Sequence, residues 1–260
     1  RDAQGRIMEE DVIRAAAALI KGRSVSLPAG HLPAQVARLI PLEGVRGIVS
    51  RRMAESAHTT ARVAMWREVD ASELVRVRSR LEAQGLKVSY NDLLVRICAT
   101  ALRQHPLANA RLGNNRIECL DQVNIGLAVD TERGLLVPVI HDAHELTIAD
   151  IAKESARLIE AARSGHIGPD DLTGGTFTIS NLGMFGVEGF TPIINLPECC
   201  ILGVGRIVRK PVAMEDSDAV AVRPMMTISL VFDHRIMDGA AAARFLDSIA
   251  RFIRDPVLLL

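Results

Sequence analysis

Along this chain the spacing of apolar residues moves back and forth between the helical and the strand period, and no strand–helix–strand unit repeats. That mixture favours an α+β domain built on a mixed β-sheet over a doubly wound parallel one. Residues 45–60 carry Ile48, Val49, Met53, Ser56 and Ala57 at helical spacing, residues 63–69 alternate as a strand, and residues 72–82 return to helix. Leu93, Leu94, Ile97, Cys98, Ala101 and Leu102 form an apolar helical stripe ending near Pro106. Residues 123–129 and 135–140 read as strands on either side of a turn over 130–134, and Ile148, Ile151, Ser155, Leu158 and Ala162 mark an amphipathic helix. Strands follow over 176–180, 200–204 and 225–233. A last helix runs from 239 to about 254, where Pro256 ends it because proline cannot continue the hydrogen-bond ladder.

Ahead of this domain, residues 1–20 read as a turn at Ala3-Gln4-Gly5 and a helix whose start carries Glu9, Glu10 and Asp11, charges suited to the positive end of the helix dipole. The segment is too short to bury a core of its own. Residues 21–40 fade into Gly, Ser and Pro, the pattern of a linker, so the expected organisation is 1–20, 21–40 and a main domain over 41–260.

Composition removes several classes of function. Lys+Arg and Asp+Glu both number 31, a net charge of zero, so neither a basic excess for nucleic acid nor a Lys/Arg block for a membrane surface is present. With one Trp, one Tyr and six Phe against 48% hydrophobic residues, aliphatic side chains must build the core. Cys98, Cys119, Cys199 and Cys200 form no C-x-x-C pair. Cys98 and the adjacent Cys199 and Cys200 lie in apolar patterns, as small buried side chains of a reducing compartment do. No signal peptide or membrane-length apolar run stands in the sequence, so a soluble intracellular protein is expected, cytoplasmic or in the mitochondrial matrix of a eukaryote.

Gly203-Val204-Gly205 opens a G-x-G, but Val208 stands where a dinucleotide fingerprint needs its third glycine. No serine-hydrolase elbow, zinc-protease motif or phosphate loop occurs, and no metal-ligand set is visible. What stands out is Phe232-Asp233-His234-Arg235-Ile236-Met237-Asp238-Gly239. In the strand before it, Met226, Ile228, Leu230 and Phe232 alternate with Thr227, Ser229 and Val231. If that parity persists, His234 leaves on the apolar side, where an imidazole loses the solvation of its charged form and stays a neutral base. A second run, Gly174-Gly175-Thr176-Phe177-Thr178-Ile179-Ser180-Asn181-Leu182-Gly183, ends a strand at a Ser-Asn turn. Ser and Asn in turns also bond their own backbone, so this run alone is a weak signal.

Together the two runs closely resemble the catalytic domain of the dihydrolipoamide acyltransferases of 2-oxo acid dehydrogenase complexes, relatives of chloramphenicol acetyltransferase. The resemblance covers residues 41–260 and includes Asn124-Ile125-Gly126-Leu127-Ala128-Val129-Asp130, the His105-Pro106-Leu107-Ala108-Asn109-Ala110 segment and Phe190-Thr191-Pro192-Ile193-Ile194-Asn195-Leu196-Pro197-Glu198. One departure is Ala61-Arg62 before the first strand, where family members often carry Pro-His. Residues 4–12 are similar to the second half of a peripheral subunit-binding domain, so the chain reads as a piece of a longer protein that also carries a lipoyl domain.

The resemblance implies transfer of an acyl group, acetyl by the likeness of residues 180–186 to pyruvate and acetoin enzymes, between a dihydrolipoyl thiol and coenzyme A. It assigns His234 as the base, Ser180 as donor to the oxyanion and Asp238 to support. Asp233 and Arg235 read as structural, paired with each other or with other chains. Arg46, Arg51 and Arg52 are candidates for the coenzyme A phosphates, against the alternative of a solvated basic face or salt bridges between subunits. The lipoyl group rides on a domain absent from this chain. The resemblance further implies a homotrimer with His234 and Ser180 from different subunits, assembly into a cage, and dehydrogenase and dihydrolipoamide dehydrogenase partners of the full-length protein. A non-catalytic core component with the same fold is the alternative, and such relatives lose the histidine.

Overall fold

A computed structural model describes residues 37–259 except residues 133 and 215–217, and only the backbone of residues 258 and 259. The expected binding-domain remnant at 1–20 and the linker as far as residue 36 lie outside the described residues. Helix α1 (Gly44–Thr59) leads into strand β1 (Arg62–Asp70), helix α2 (Ser72–Ala83) and helix α3 (Tyr90–Gln104). Strands β2 (Ala110–Gly113) and β3 (Arg116–Cys119) form a small hairpin. Four short strands follow: β4 (Ile125–Leu127), β5 (Val129–Thr131), β6 (Gly134–Leu136) and β7 (Val139–Ile140). Helix α4 (Ile148–Ser164), strands β8 (Phe177–Asn181), β9 (Cys200–Ala213) and β10 (Val220–Asp233), and helix α5 (Gly239–Arg254) complete the chain.

Six strands make the main sheet in the order β1-β10-β9-β8-β4-β7. β1, β10 and β9 run antiparallel to one another, β9, β8 and β4 are parallel, and β7 is antiparallel to β4, so the sheet is mixed as the sequence implies. Met226, Ile228, Leu230 and Phe232 of β10 belong to the main core with Ile97 and Leu102 of α3 and Phe245 and Ile249 of α5. On the opposite face Val231 packs with Ile194 and Ile201 under the segment before β9. Two glycines let that segment lie flat: a side chain at Gly203 would collide with Ser229 Oγ, and one at Gly205 with the Glu188 carbonyl. The G-x-G that is no nucleotide fingerprint is thus a close-packing device.

Helix boundaries follow local chemistry. Ser89 and Asp92 form a reciprocal capping box on α3, Thr147 and Asp150 another on α4, and α4 ends at Gly165 in the left-handed region at φ 76°. α5 stops before Pro256, and a short 3₁₀ turn (Pro256–Leu259) follows.

Three expectations need correction. The two strands expected at 123–129 and 135–140 are each broken in two. The Leu127 N–H donates to the Pro138 carbonyl and the Ala128 N–H to that of Ile179, so β4 and β7 stay in the main sheet while β5 and β6 pair only with each other. β9 is far longer than 200–204, since its distal half pairs with β10 as a two-stranded arm. The β2–β3 hairpin is additional, turned through Asn115 at φ 59°. Cys98, Cys199 and Cys200 are buried and free, as their apolar settings imply, and Cys119 is exposed. Among the described residues no helix is long and apolar enough to cross a membrane.

Candidate functional site

β10 ends in a tight turn in which the N–H groups of Ile236 and Met237 both donate to the Asp233 carbonyl, at 2.9 and 3.2 Å. Ile236 and Met237 are buried in the core and anchor the turn there. They take the apolar side that strand parity had assigned to His234. The histidine instead swings outward with 46% of its side chain exposed, so within one chain it is not enclosed in an apolar cleft. Its ring centroid lies 5.8 Å from that of Phe232. Asp238 caps α5 with its backbone only, its side chain largely exposed, and its Oδ1 is 3.9 Å from His234 Nδ1. That is ion-pair range for a protonated imidazole and too long for a hydrogen bond.

Asp233 and Arg235, left open by the sequence, pair with each other: the guanidinium reaches the buried carboxylate through Nη2 at 2.6 Å and Nε at 3.0 Å. Burial alone would raise the Asp233 carboxyl. The Arg235 fork and the backbone N–H groups of Arg235 and Ala61 outweigh it and hold the carboxyl below its usual range.

Ser180 lies at the carboxyl end of β8, half-buried, level with Gly203 of β9. Its neighbour Asn181 makes the expected turn bond, accepting the Gly183 N–H at 2.8 Å, and donates to Asn91 at 2.7 Å. The strand registers fix how far Ser180 is from His234. Asp233 N–H bonds Cys199 O, four residues down β9 from Gly203, and β8 is two strands away from β10. That amounts to roughly 13 Å along the strands and about 10 Å across them. Within one chain the two do not meet.

Nor do the three arginines. At about 100° per residue, Arg51 and Arg52 lie on different sides of α1 from Arg46 and from each other, so they form no single cradle. Arg52 alone lines a cavity of about 870 Å³, walled by Val45, Ile48 and Val49 of α1 and, across from them, by His141, Asn195 and Glu198.

Glu198 is the residue that sequence reasoning missed. It is 3% exposed, and its Oε1 accepts from Thr178 Oγ1 and Asn195 Nδ2, both at 2.9 Å. Oε2 has no partner among the described residues. Burial pushes the Glu198 carboxyl up to about 8, against the weaker pull of Thr178, Asn195 and the Arg52 charge, so at neutral pH it is mostly protonated. The one signal in the sequence was an acidic residue set directly before the apolar run that becomes β9.

Residues 34–260 match the family described as 2-oxoacid dehydrogenases acyltransferase (catalytic domain). The chain belongs to this family. It is 33% identical over 261 residues to the dihydrolipoyllysine-residue acetyltransferase component of the pyruvate dehydrogenase complex of Rickettsia felis, covering 98% of this chain and 62% of that one. It is 36% identical over 261 residues to the acetyltransferase component of the acetoin cleaving system of Bacillus subtilis, covering 98% and 64%. This acyltransferase chain thus spans about three-fifths of the length of those relatives.

Among solved structures, the cubic core of a pyruvate dehydrogenase multienzyme complex superposes with a TM-score of 0.82 at 34% identity, covering 88% of this chain and 98% of that one. Azotobacter vinelandii dihydrolipoamide acetyltransferase does so with 0.81 at 33% identity and the same coverage. That structure concerns the role of a serine, a histidine and an asparagine four positions after the histidine in its catalytic mechanism. Chloramphenicol acetyltransferase, 15% identical, shares the fold at a TM-score of 0.52, covering 83% and 99%.

Proposed function

We propose that this acyltransferase domain moves an acetyl group between a dihydrolipoyl thiol and coenzyme A, with His234 as the base. The observation that carries the reading is the His234 turn: a clamped backbone presenting a partly exposed imidazole with Asp238 four residues on. The serine, histidine and asparagine of the Azotobacter enzyme support it, since Ser180 and His234 are of the same kinds as the first two, and Asp238, an acid in place of the amide, stands at the same spacing from the histidine. A free thiol with a pKa near about 8.5 is little ionised at neutral pH, so a base is needed to supply thiolate. His234 takes the proton from the coenzyme A thiol, and the sulfur attacks the thioester carbonyl. The oxyanion collapses, the carbon–sulfur bond to the dihydrolipoyl group breaks, and the departing sulfur takes the proton back from His234. A hydroxyl such as that of Ser180, donating to the oxyanion, contributes on the order of 3 kcal/mol.

The distance between His234 and Ser180 supports a site shared between copies. Two groups more than about 15 Å apart by register cannot serve one thioester, so the site takes His234 from one copy and Ser180 from a second. A homotrimer in a cage, like the cubic core among its solved relatives, is the proposed assembly. Dehydrogenase and dihydrolipoamide dehydrogenase are the proposed partners of the longer protein, and the lipoyl group is substrate on a separate domain. Arg52 is the arginine of the three best placed for coenzyme A, because it alone opens on the cavity. The non-catalytic reading is the less favoured, since His234, Asp238 and Ser180 are all present.

A steady-state assay with free dihydrolipoamide and acetyl-, succinyl- and branched-chain acyl-coenzyme A tests the reading. Highest kcat/KM with acetyl-coenzyme A is expected. No turnover with any donor in an assembled protein would overturn the enzyme assignment.

A further inference from the structure

The residues on either side of His234 are tied to one carboxylate. Asp233 is 2% exposed, and its Oδ1 accepts the backbone N–H of Arg235 at 3.0 Å and that of Ala61 at 3.2 Å, while the Arg235 guanidinium spans both oxygens. The His234 N–H in turn donates to the Ala61 carbonyl at 2.9 Å. Ala61 immediately precedes β1, whose Arg62 stands opposite Asp233, so this bond carries the β1–β10 ladder one step past the sheet. The backbone of His234 is therefore held from three sides: its own N–H on Ala61, the residue before it on Ala61 and Arg235, and the residue after it on Asp233. Asp238, by contrast, makes no hydrogen bond to the imidazole.

We propose that Asp233 is the positioning residue for His234 and that the Ala61 N–H is a working part of the clamp. The inference rests on the reading of His234 as the base. Ala61 is informative because its N–H reaches the same Asp233 oxygen that accepts from Arg235. Proline has no N–H, so the bond to Asp233 needs a residue other than proline at position 61. Reacting groups must be held to within a fraction of an ångström for efficient transfer, and a buried charge-assisted fork gives a turn that stiffness where a single neutral hydrogen bond does not.

The experiment uses the assembled protein and reads kcat and both KM values in the dihydrolipoamide assay. His234→Ala is the control for the underlying reading: if it keeps turnover, the base assignment fails, whatever Asp233 does. With that control inactive, Asp233→Asn keeps the shape and the Oδ1 acceptor but loses the charge that grips Arg235. We expect kcat to fall about ten- to a hundredfold at unchanged KM, the scale of a misplaced catalytic group. Arg235→Lys keeps the charge without the fork and should lose less. Ala61→Pro, which removes a single N–H, should lose least, again in kcat. A residue that only stabilises the fold would lower the melting temperature of assembled protein without this split between kcat and KM. Unchanged kcat in assembled Asp233→Asn, or a rise in KM at constant kcat, overturns the proposal. Should Asp233→Asn fail to assemble, Arg235→Lys and Ala61→Pro decide: graded kcat loss supports the clamp, and wild-type kcat in both refutes it.

Discussion

Asp233 and Glu198 are two carboxyl groups with almost no surface exposed, and their surroundings bring them to different charge states. They are close in the fold, since the Asp233 N–H bonds the carbonyl of Cys199, the residue next to Glu198. Asp233 has a guanidinium laid across both oxygens and remains an anion. Glu198 has a hydroxyl and an amide on one oxygen and, among the described residues, no hydrogen-bond partner on the other, and holds its proton to about 8. Burial penalises both charges, that of Glu198 the more heavily, and only Asp233 has a guanidinium hydrogen-bonded to it to offset the penalty. An ionised, forked carboxylate is fit to hold a turn in place, whereas a neutral acid can stay buried in a cavity wall with a hydroxyl and an amide for partners.

The largest effect expected tests what the Asp233 side of this comparison is built to hold. His234→Ala should lower turnover by roughly a hundredfold or more in assembled protein, the scale of losing a general base. Near-normal turnover would leave the clamp with no catalytic object. Ser180→Ala should lower kcat by about a hundredfold with little change in KM, because the proposed bond strengthens only in the transition state. An effect confined to KM would make Ser180 a binding or turn residue. Mixing the two inactive variants sharpens the point. If sites draw on two copies, mixed assemblies regain part of the activity, and none returns if each chain carries a whole site.

On the stability side, Asp233→Asn should destabilise by about 1.5–3 kcal/mol at neutral pH, the worth of hydrogen bonds to a charged group. The folded carboxyl lies below its usual 3.8, so this stability is present above 3.8 and is lost as pH falls through the lower folded value. Wild type and variant should therefore converge in acid. Melting curves that stay equally far apart at every pH would mean that the carboxylate's charge contributes nothing.

How much of this could be read before the structure depended on how local the cause is. α5 was legible to the residue because its apolar stripe and Pro256 are written in consecutive positions, and the His234 turn was legible as a motif. The split of two expected strands at Ala128 and Pro138 was not, because each half remains extended and only its hydrogen-bond partner changes. The outer half of β9 was hidden by Arg206, Arg209, Lys210 and Pro211, which break the apolar run while its backbone goes on pairing with β10. The outward swing of His234 depends on Ile236 and Met237 claiming the core in its place, a competition that strand parity does not contain. Glu198 was invisible as a site residue because its state is set by burial, which only the packing of distant segments around it creates.

Glu198→Gln carries the smallest effect on turnover of these substitutions, since it removes no ion pair, and it tests the other half of the comparison through stability. A glutamate near 4.5 when unfolded and near 8 when folded keeps, between those values, a proton that the unfolded chain has released. The linkage sign then follows: the stabilising contribution is fully present below about 4.5 and is lost as pH rises through about 8. Glutamine cannot release that proton, so its contribution is flat. Relative to Glu198→Gln, wild type should lose on the order of 1 kcal/mol per pH unit across this window and level off above it. The groups facing the carboxyl are Thr178, Asn195 and the Arg52 charge. Replacing Arg52 with glutamine should accordingly move the upper limit of the window further upward. Thermal melts of the assembled proteins from pH 5 to about 9 would show the two curves diverging. Parallel curves would mean that Glu198 is ionised in the folded state, and that the two buried carboxyl groups do not differ after all.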